Sequence, residues 1–312
     1  MKYYCMPSDF KKETIDSFDK LNHEYKDSRV VETYGNITVG NELESGRVSA
    51  QLPEVDLIQL EEFIKYSKSK GIDFNYTLNS PHYQNKEFTN EGVSKIKSFL
   101  KTIYDIGVRT LTVASPSMIE IVQASPYGFN IVGSTLCQIT NSNKAEYFKK
   151  LGLKRIVVDE SINRDFNSLK DIGNLYDGEV EIIVNPICLK DCIYRTFHYN
   201  QIGFDSTDNY NKISHNFYEH RCIMQRHDKI SNILRSCWIR PEDLNYYEDS
   251  KIYYFKLQGR QSVLHGDPLK TLKAYFDMSY DGDLMEFIQL FHKMNSFNIK
   301  LDNRKLDGFL KP

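Results

Sequence analysis

Short apolar runs of five to eight residues recur along the chain and are separated by longer amphipathic stretches. Most of these runs are apolar at nearly every position, which is typical of parallel strands that are buried on both faces. We predict eight strands, at residues 2–6, 30–35, 73–79, 109–115, 129–135, 155–160, 180–185 and 252–259.

The stretches between the strands carry apolar residues at helical spacing. Four of them end in a glycine (Gly71, Gly107, Gly152 and Gly178), the residue that most often terminates a helix. A strand, a helix and a further strand make up a βαβ unit, and eight such units predict an α/β fold: a (β/α)8 barrel of the TIM type. The predicted helices are residues 56–71, 91–107, 141–152, 165–178, 267–278 and 282–294.

One long segment interrupts this regular alternation. Residues 186–250 separate the seventh predicted strand from the eighth, which is far more chain than a crossover helix needs. Insertions of this length in a barrel usually carry function. We therefore predict one barrel domain over residues 1–285, with the cysteine-containing insertion at 186–250, and a C-terminal tail over 286–312 that packs on the barrel.

The composition argues against several classes of protein. The formal net charge of −2 lacks the basic excess of a general nucleic-acid-binding or membrane-binding surface. No apolar run approaches the ~18–20 residues of a membrane span, and the first residues show no signal-peptide pattern. We therefore expect a cytoplasmic protein, in which thiols stay reduced. Its six cysteines are then candidates for metal ligands, catalytic groups or buried apolar residues.

Four of the six cysteines lie in the insertion, at Cys188, Cys192, Cys222 and Cys237. Their spacing is wider than the paired C-x2-C motifs of zinc ribbons, but a folded insertion could still bring them together. Four thiolates can hold a [4Fe–4S] cluster or a zinc ion. The nearby histidines that could replace one thiolate are His198, His215, His220 and His227. Of the two remaining cysteines, Cys5 is expected to pack in the core, and Cys137 lies near the expected barrel mouth.

In TIM barrels the chemistry takes place at the carboxyl ends of the strands. Glu160 directly follows an apolar run and could act as a general base or bind Arg164. Lys256 would be buried near the mouth and would need an acidic or anionic partner, for which Glu160 is a candidate. The full polar set at these strand ends is Tyr34, Asn79, Ser115, Thr135, Gln138, Glu160, Arg164, Asn185, Lys256, Gln258 and Arg260. Asn79 and Ser115 could equally be helix N-caps.

Three stretches of the sequence carry a resemblance to a known family. "NPICLKDCIYRTFHYN" (185–200), "FKLQGR" (255–260) and "IVGSTLCQITNSNKAEYFKKLGLKRIVVDE" (131–160) resemble peptidase family U32, and the similarity extends over about residues 30–280. The resemblance implies a barrel. It also implies either a peptidase or an iron–sulfur protein of oxygen-independent hydroxylation, which in some branches acts in ubiquinone synthesis or on RNA bases.

Carried over by position, the resemblance implies that the four insertion cysteines are cluster ligands and that Glu160, Lys256 and Arg260 line the pocket. The chain departs from the cluster-binding branches in two respects. Its first cysteine pair, Cys188 and Cys192, is closer together, and a second close pair is missing. If one ligand were absent, Cys5, Cys137 or a histidine of the insertion would have to complete the set.

The favoured hypothesis is a [4Fe–4S] enzyme of redox or hydroxylation type. Its catalytic residues would be Glu160, Arg164, Lys256 and Arg260, of which the three cationic side chains would hold an anionic substrate. Its substrate-binding residues would be Asn79, Ser115, Gln138, Asn185 and His198. The substrate itself (small molecule, peptide or RNA) and a protein partner stay open.

Two alternatives are kept. The first is a peptidase acting on peptides or proteins. The sequence has neither the H-E-x-x-H nor the G-x-S-x-G motif, so its nucleophile would be Cys188 or Cys192 near His198. The second alternative is a non-catalytic binding protein that is stabilised by structural zinc.

Overall fold

The computed structural model describes residues 1–177, 179–207, 216–285, 287 and 300–308. Eight parallel strands form a closed barrel in which each strand pairs with the next and the eighth pairs with the first. The predicted (β/α)8 barrel is therefore confirmed. The strands are β1 (Lys2–Pro7), β2 (Ser28–Gly35), β3 (Asp73–Leu78), β4 (Thr110–Val113), β5 (Asn130–Gly133), β6 (Arg155–Val157), β7 (Val180–Ile183) and β8 (Tyr254–Lys256).

Helices follow the strands and cover the outside of the barrel. They are α1 (Lys12–Glu24), α2 (Leu57–Ser69), α3 (Asn90–Asp105), α4 (Pro116–Gln123), α5 (Ser142–Lys150), α6 (Phe166–Tyr176), α7 (Arg195–Phe204), α8 (Phe217–Asp228), α9 (Ser231–Arg235) and α10 (Pro268–Asp277). Five of the six predicted helices are present. The sixth, 282–294, lies mostly outside the described residues. Among the residues described, none of the helices combines the length and the apolar character that a membrane span requires.

Local chemistry explains where the helices begin and end. The Asp56 side chain accepts a hydrogen bond from the Gln59 backbone N–H, and the Gln59 side chain accepts one from the Asp56 backbone N–H, so that α2 starts with a capping box. The chain leaves α2 through Gly71, whose positive φ of 69° suits glycine. Ser115 caps α4 by accepting from the Met118 backbone. The N-cap alternative for Ser115 is thus the one observed.

The main apolar core lies between the strands and the helices, whereas the inside of the barrel is largely polar. Val132, Val157 and Ile183 form a small separate apolar cluster on the inner face. Ionic and amide side chains of β2, β3, β6, β7 and β8 occupy much of the remaining interior, as described below. A polar interior lets the barrel present charged groups at its mouth.

The insertion folds over that mouth. It contains α7, α8 and α9 and then returns to the barrel, where the Ile239 backbone donates to the Val184 carbonyl over 2.7 Å. A 310 helix, Pro241–Ser250, leads into β8. The described part of the C-terminal tail packs here, since the buried Arg240 donates to the Asn303 carbonyl over 2.8 Å and the Asn303 side chain donates to Glu242 over 2.9 Å.

Candidate functional site at the barrel mouth

A pocket with about 510 Å³ of empty space opens at the carboxyl ends of the strands. This volume includes space that is open to solvent at the mouth. Its walls combine side chains of β2, β3, β4, β6, β7 and β8 with the loops that follow several strands. Two further side chains come from outside the barrel proper: Arg47 from the loop between β2 and α2, and Tyr199 from α7 of the insertion.

Lys256 stands at the base of this pocket, where it is part of a buried ionic network. Its ammonium lies 3.1 Å from the Glu181 carboxylate and 4.0 Å from the centre of the Tyr34 ring. The prediction that Glu160 would pair with Lys256 is wrong. Glu181 belongs to β7, the strand next to β8, so that barrel pairing brings the two side chains together. Burial lowers the pKa of Lys256, but the Glu181 charge overrides it, and the net direction is upward.

The network continues toward the other end of the barrel. The Arg155 guanidinium contacts Glu181 over 3.5 Å and both oxygens of Glu32 over 2.7 Å. The Cys5 thiol donates to Glu181 over 3.2 Å. Ligand atoms of Cys5, Glu32 and Glu181 lie within 4.8 Å of one another, the one metal-capable group in the described part of the chain. Because two cations already neutralise the two carboxylates, we interpret this group as a closed ionic network.

Arg260 lies in the wall of the same pocket and is 5 % exposed. Its guanidinium donates to the side-chain oxygens of Asn36, Thr77 (2.5 Å) and Asn79 (3.4 Å), all of them neutral. Burial, together with the positive charge of Arg47, lowers the pKa of Arg260 to about 9. The guanidinium is therefore still charged at neutral pH.

Beyond the end of β6 lies a second group of charges. Asp159 forms a two-pronged salt bridge with Arg195 of α7, with distances of 2.9 and 3.0 Å. The adjacent Glu160 is buried, and neither of its carboxyl oxygens has a hydrogen-bond partner among the described residues. Burial raises the pKa of Glu160, although the nearby Arg195 charge opposes this effect. Glu160 is thus a buried carboxyl group with a tendency to hold its proton.

Arg164 does not line the pocket. Its guanidinium donates to the Trp238 carbonyl over 2.7 Å and lies 4.8 Å from the centre of the Trp238 ring. The expectation that Glu160 would bind Arg164 therefore finds no support in these contacts. The insertion residue Trp238 intervenes, and a cation above an indole face is a favourable arrangement.

Of the five predicted substrate-binding residues, only Asn79 lines the pocket. Gln138 donates to Thr196 over 2.7 Å and so ties the loop after β5 to α7. Asn185 is occupied by Gln258, because the two residues exchange hydrogen bonds of 3.0 and 2.7 Å. Burial lowers the pKa of His198 to about 4, with help from the positive charges of Arg47 and Arg226, so this ring is neutral at pH 7.

The four insertion cysteines are free thiols, as are Cys5 and Cys137. Cys188 and Cys192 lie on the loop after β7, Cys222 lies on α8, and Cys237 is buried just before the 310 helix. The Cys188 sulfur is 3.9 Å from the Tyr199 hydroxyl, which connects the insertion loop to a side chain of the pocket wall. In the residues described here, no three of these thiols come within 4.8 Å of one another.

Each of three insertion thiols has a guanidinium for a neighbour. Burial raises the pKa of Cys188 to about 12 and that of Cys237 to about 11, and it also raises the pKa of Cys222. The opposing positive charges are Arg195 at Cys188, Arg226 at Cys222 and Arg164 at Cys237. These cations would balance the negative charge of the thiolates if the thiols were deprotonated by a metal.

Space is available next to the insertion thiols. About 790 Å³ of open volume lies between the loop at 189–193 and helices α8 and α9, and Cys192 is part of its wall. His220 and His227 are on α8, while His215 lies outside the described residues. Cys137, by contrast, is buried against β4 and donates to the Ala114 carbonyl over 3.2 Å.

Sequence reasoning missed Arg47, Glu181, Asp159 and Tyr199. Glu181 did carry a signal, because it is the one charged residue of the run "VEIIVN". A carboxylate inside a buried strand must be paired. No sequence signal marked Arg47, since it lies in a polar loop without periodicity.

Comparison with known proteins identifies the family. The model of peptidase family U32 matches residues 32–189, half of the chain. The chain belongs to this family. The match covers β2 to β7 and ends one residue after Cys188, so that three of the four insertion cysteines lie beyond it.

Two relatives illustrate the similarity. The uncharacterized protease MJ1657 of Methanocaldococcus jannaschii is 27 % identical over 267 residues, which are 86 % of this chain and 78 % of that protein. The solved structure of the U32 peptidase Mk0906 superimposes with a TM-score of 0.59 at 17 % identity and covers 86 % of this chain and 94 % of the other. The second likeness supports the barrel fold.

Proposed function

We propose that this U32 protein is an oxygen-independent redox enzyme, of the hydroxylation type, that binds a [4Fe–4S] cluster through Cys188, Cys192, Cys222 and Cys237. The observation that carries the proposal is the placement of guanidinium groups beside three of these thiols on a segment that closes the pocket. Tyr199 connects the two regions, because its side chain lines the pocket and its hydroxyl lies 3.9 Å from the Cys188 sulfur.

In this structure the insertion thiols are spaced too widely for a single zinc ion. Zinc–sulfur bonds of about 2.3 Å would bring the sulfurs of a tetrahedral site to within about 4 Å of one another. Within the described residues no three insertion thiols approach even 4.8 Å. A four-iron cluster is larger and holds its thiolates farther apart. A bound cluster would supply one-electron chemistry at the edge of the pocket.

The residues of the chain supply the remaining functions. Glu160 is close enough to Cys188 and Cys237 for its charge to raise the pKa of both thiols. Its own raised pKa suits a group that holds and then releases a proton at its carboxyl. Lys256 and Arg260 present positive charge to the pocket, and the insertion shields it from bulk water. The need for reduced thiols is consistent with our expectation of a cytoplasmic protein.

The peptidase alternative draws less support from the site. A thiol nucleophile needs a lowered pKa and a basic partner. Burial and the Glu160 charge raise the pKa of Cys188 instead, to about 12, and His198 is shifted toward its neutral form with a pKa of about 4. The Cys188 sulfur contacts Tyr199, which is a poor base.

The proposal is tested by anaerobic purification followed by absorption spectroscopy. We expect a broad band near ~400 nm that is lost when Cys188, Cys192 or Cys222 is replaced by serine. Cys137→Ser is the matched control, because this thiol is buried against β4 and lies outside the insertion. A colourless protein without iron would refute the cluster. Bound zinc would then favour the binding-protein alternative, and peptide hydrolysis without any metal would favour the peptidase.

A further inference from the structure

The positive charge of Arg260 is not balanced by a carboxylate among the described residues. Its guanidinium is almost fully buried, yet its side-chain partners are the neutral oxygens of Asn36, Thr77 and Asn79. Within the described residues it forms no salt bridge. Buried arginines are normally paired with a carboxylate, because an unpaired buried charge is costly. Arg260 therefore sits where a second, negative partner is expected.

Arg47 brings another positive charge to the same pocket. Its Nε donates to Gln261, the neighbour of Arg260, over 3.1 Å, and one of its terminal nitrogens donates to the Gly46 carbonyl over 2.7 Å. The Gly46 backbone in turn donates to Asn79 over 3.0 Å, and Asn79 also accepts from Arg260. Specific hydrogen bonds thus hold two like charges near each other, although their repulsion opposes it.

The loop that carries Arg47 is fixed to the insertion. The Ser45 backbone donates to the Ser206 hydroxyl over 2.8 Å, and the Ser49 hydroxyl donates to the Ser206 carbonyl. The Arg47 guanidinium lies 5.6 Å from the centre of the Tyr199 ring. Arg47 is therefore positioned by contacts on both sides, as a binding residue would be.

The neighbouring charges do not offset these two arginines. Lys256 is paired with Glu181, and Arg195 is paired with Asp159. Among the described residues, Glu160 forms no salt bridge or hydrogen bond with either arginine. In the part of the chain that the structure describes, Arg47 has no salt bridge either. The pocket thus carries two positive charges that no carboxylate of this region balances.

We propose that Arg47 and Arg260 form a subsite for the carboxylate or phosphate group of a small organic anion. Both groups accept the paired N–H donors of a guanidinium. Both arginines line the same pocket, so a small anion that enters it meets both guanidinium groups. The inference names the substrate class of the enzyme proposed above and rests on that function only in taking this pocket as the substrate site.

The test is calorimetric titration of the purified protein with succinate and with inorganic phosphate, and with succinamide as the uncharged counterpart of succinate. We expect at least one of the two anions to bind and succinamide not to bind. The preferred anion identifies the carboxylate or the phosphate as the recognised group. Arg47→Gln and Arg260→Gln should each weaken binding by about 10- to 100-fold. Arg29→Gln is the control, because this exposed residue lies near the start of β2, away from the mouth. It should bind like the wild type.

Two results would overturn the subsite: neither anion binds at millimolar concentration, or both arginine variants bind like the wild type. Arg47 is only partly buried, so its variant tests the subsite independently of any effect of Arg260→Gln on stability. The outcome is separable from that of the cluster. An iron-free protein that binds the anion through both arginines would refute the cluster and support the subsite. An iron-containing protein that binds neither anion would support the cluster and refute the subsite.

Discussion

The ionic network inside the barrel makes a quantitative prediction for Glu181→Gln. This substitution keeps the shape of the side chain and removes its charge. Glu181 is fully buried and lies 3.1 Å from Lys256 and 3.5 Å from Arg155. Arg155 keeps its contacts with both oxygens of Glu32, whereas Lys256 has no other carboxylate at salt-bridge distance among the described residues. The variant therefore leaves a buried ammonium without a partner.

Removing one member of a buried ion pair costs about 3–5 kcal/mol. Domains of ordinary stability unfold with about 5–15 kcal/mol, so the variant should lose a large part of its stability. Lys256→Met leaves one uncompensated negative charge, but Glu181 keeps Arg155, so a smaller loss is expected. The double variant leaves Glu32 and Arg155 as a balanced pair. It should be more stable than Glu181→Gln, with a coupling free energy of about 1–3 kcal/mol.

The assay is urea unfolding of the wild type, both single variants and the double variant, followed by circular dichroism. Stability is compared from the midpoints, provided that the denaturant dependence is the same in all four proteins. The reasoning would be refuted if Glu181→Gln lay within about 1 kcal/mol of the wild type. It would also be refuted if the losses of the two single variants simply added in the double variant.

Three further predictions concern the mouth and the insertion. Arg260→Gln should raise the melting temperature of the ligand-free protein, because it removes a buried cation that has no carboxylate partner; a lower value in thermal unfolding would contradict this. Although burial and Arg47 lower the pKa of Arg260 to about 9, the guanidinium keeps its charge around neutral pH, so succinate affinity should be constant between about pH 6 and 8; a calorimetric affinity that falls over this range would speak against it. Burial and Glu160 raise the pKa of Cys188 to about 12, so iodoacetamide should modify this thiol of the iron-free protein more slowly than a free cysteine at about pH 8. The modification rate is followed by mass spectrometry, and a rate above that of free cysteine would favour a peptidase nucleophile.

The barrel could be predicted because its local signals agree with its global fold. Most of the strands are short runs of mainly apolar residues, and glycines such as Gly71 and Gly107 end the helices between them. Helix α4 was missed because it is short and follows its strand after only two residues, 114 and 115, so that the two elements read as a single apolar segment. The pattern therefore gave the order of strands more accurately than the number of helices.

The pocket could be predicted only in part, because its contacts depend on the register and the tilt of the barrel. Glu160 follows β6, two strands before β8, while Glu181 lies on the strand next to Lys256. The sequence contains both carboxylates, but only the closed sheet decides which one reaches the lysine. Arg47 is positioned by its own hydrogen bond to Gln261 and by the bond from the adjacent Gly46 backbone to Asn79. Both partners are distant in sequence and have no local signature.

The most direct test of the proposed function is the iron and acid-labile sulfide content of the chain purified without oxygen. The proposal predicts about four iron and about four sulfide ions per chain. It also predicts that Cys222→Ser, on α8, loses most of both, whereas Cys137→Ser keeps them. Wild-type protein that folds normally yet contains neither iron nor sulfide after anaerobic purification and cluster reconstitution would contradict it.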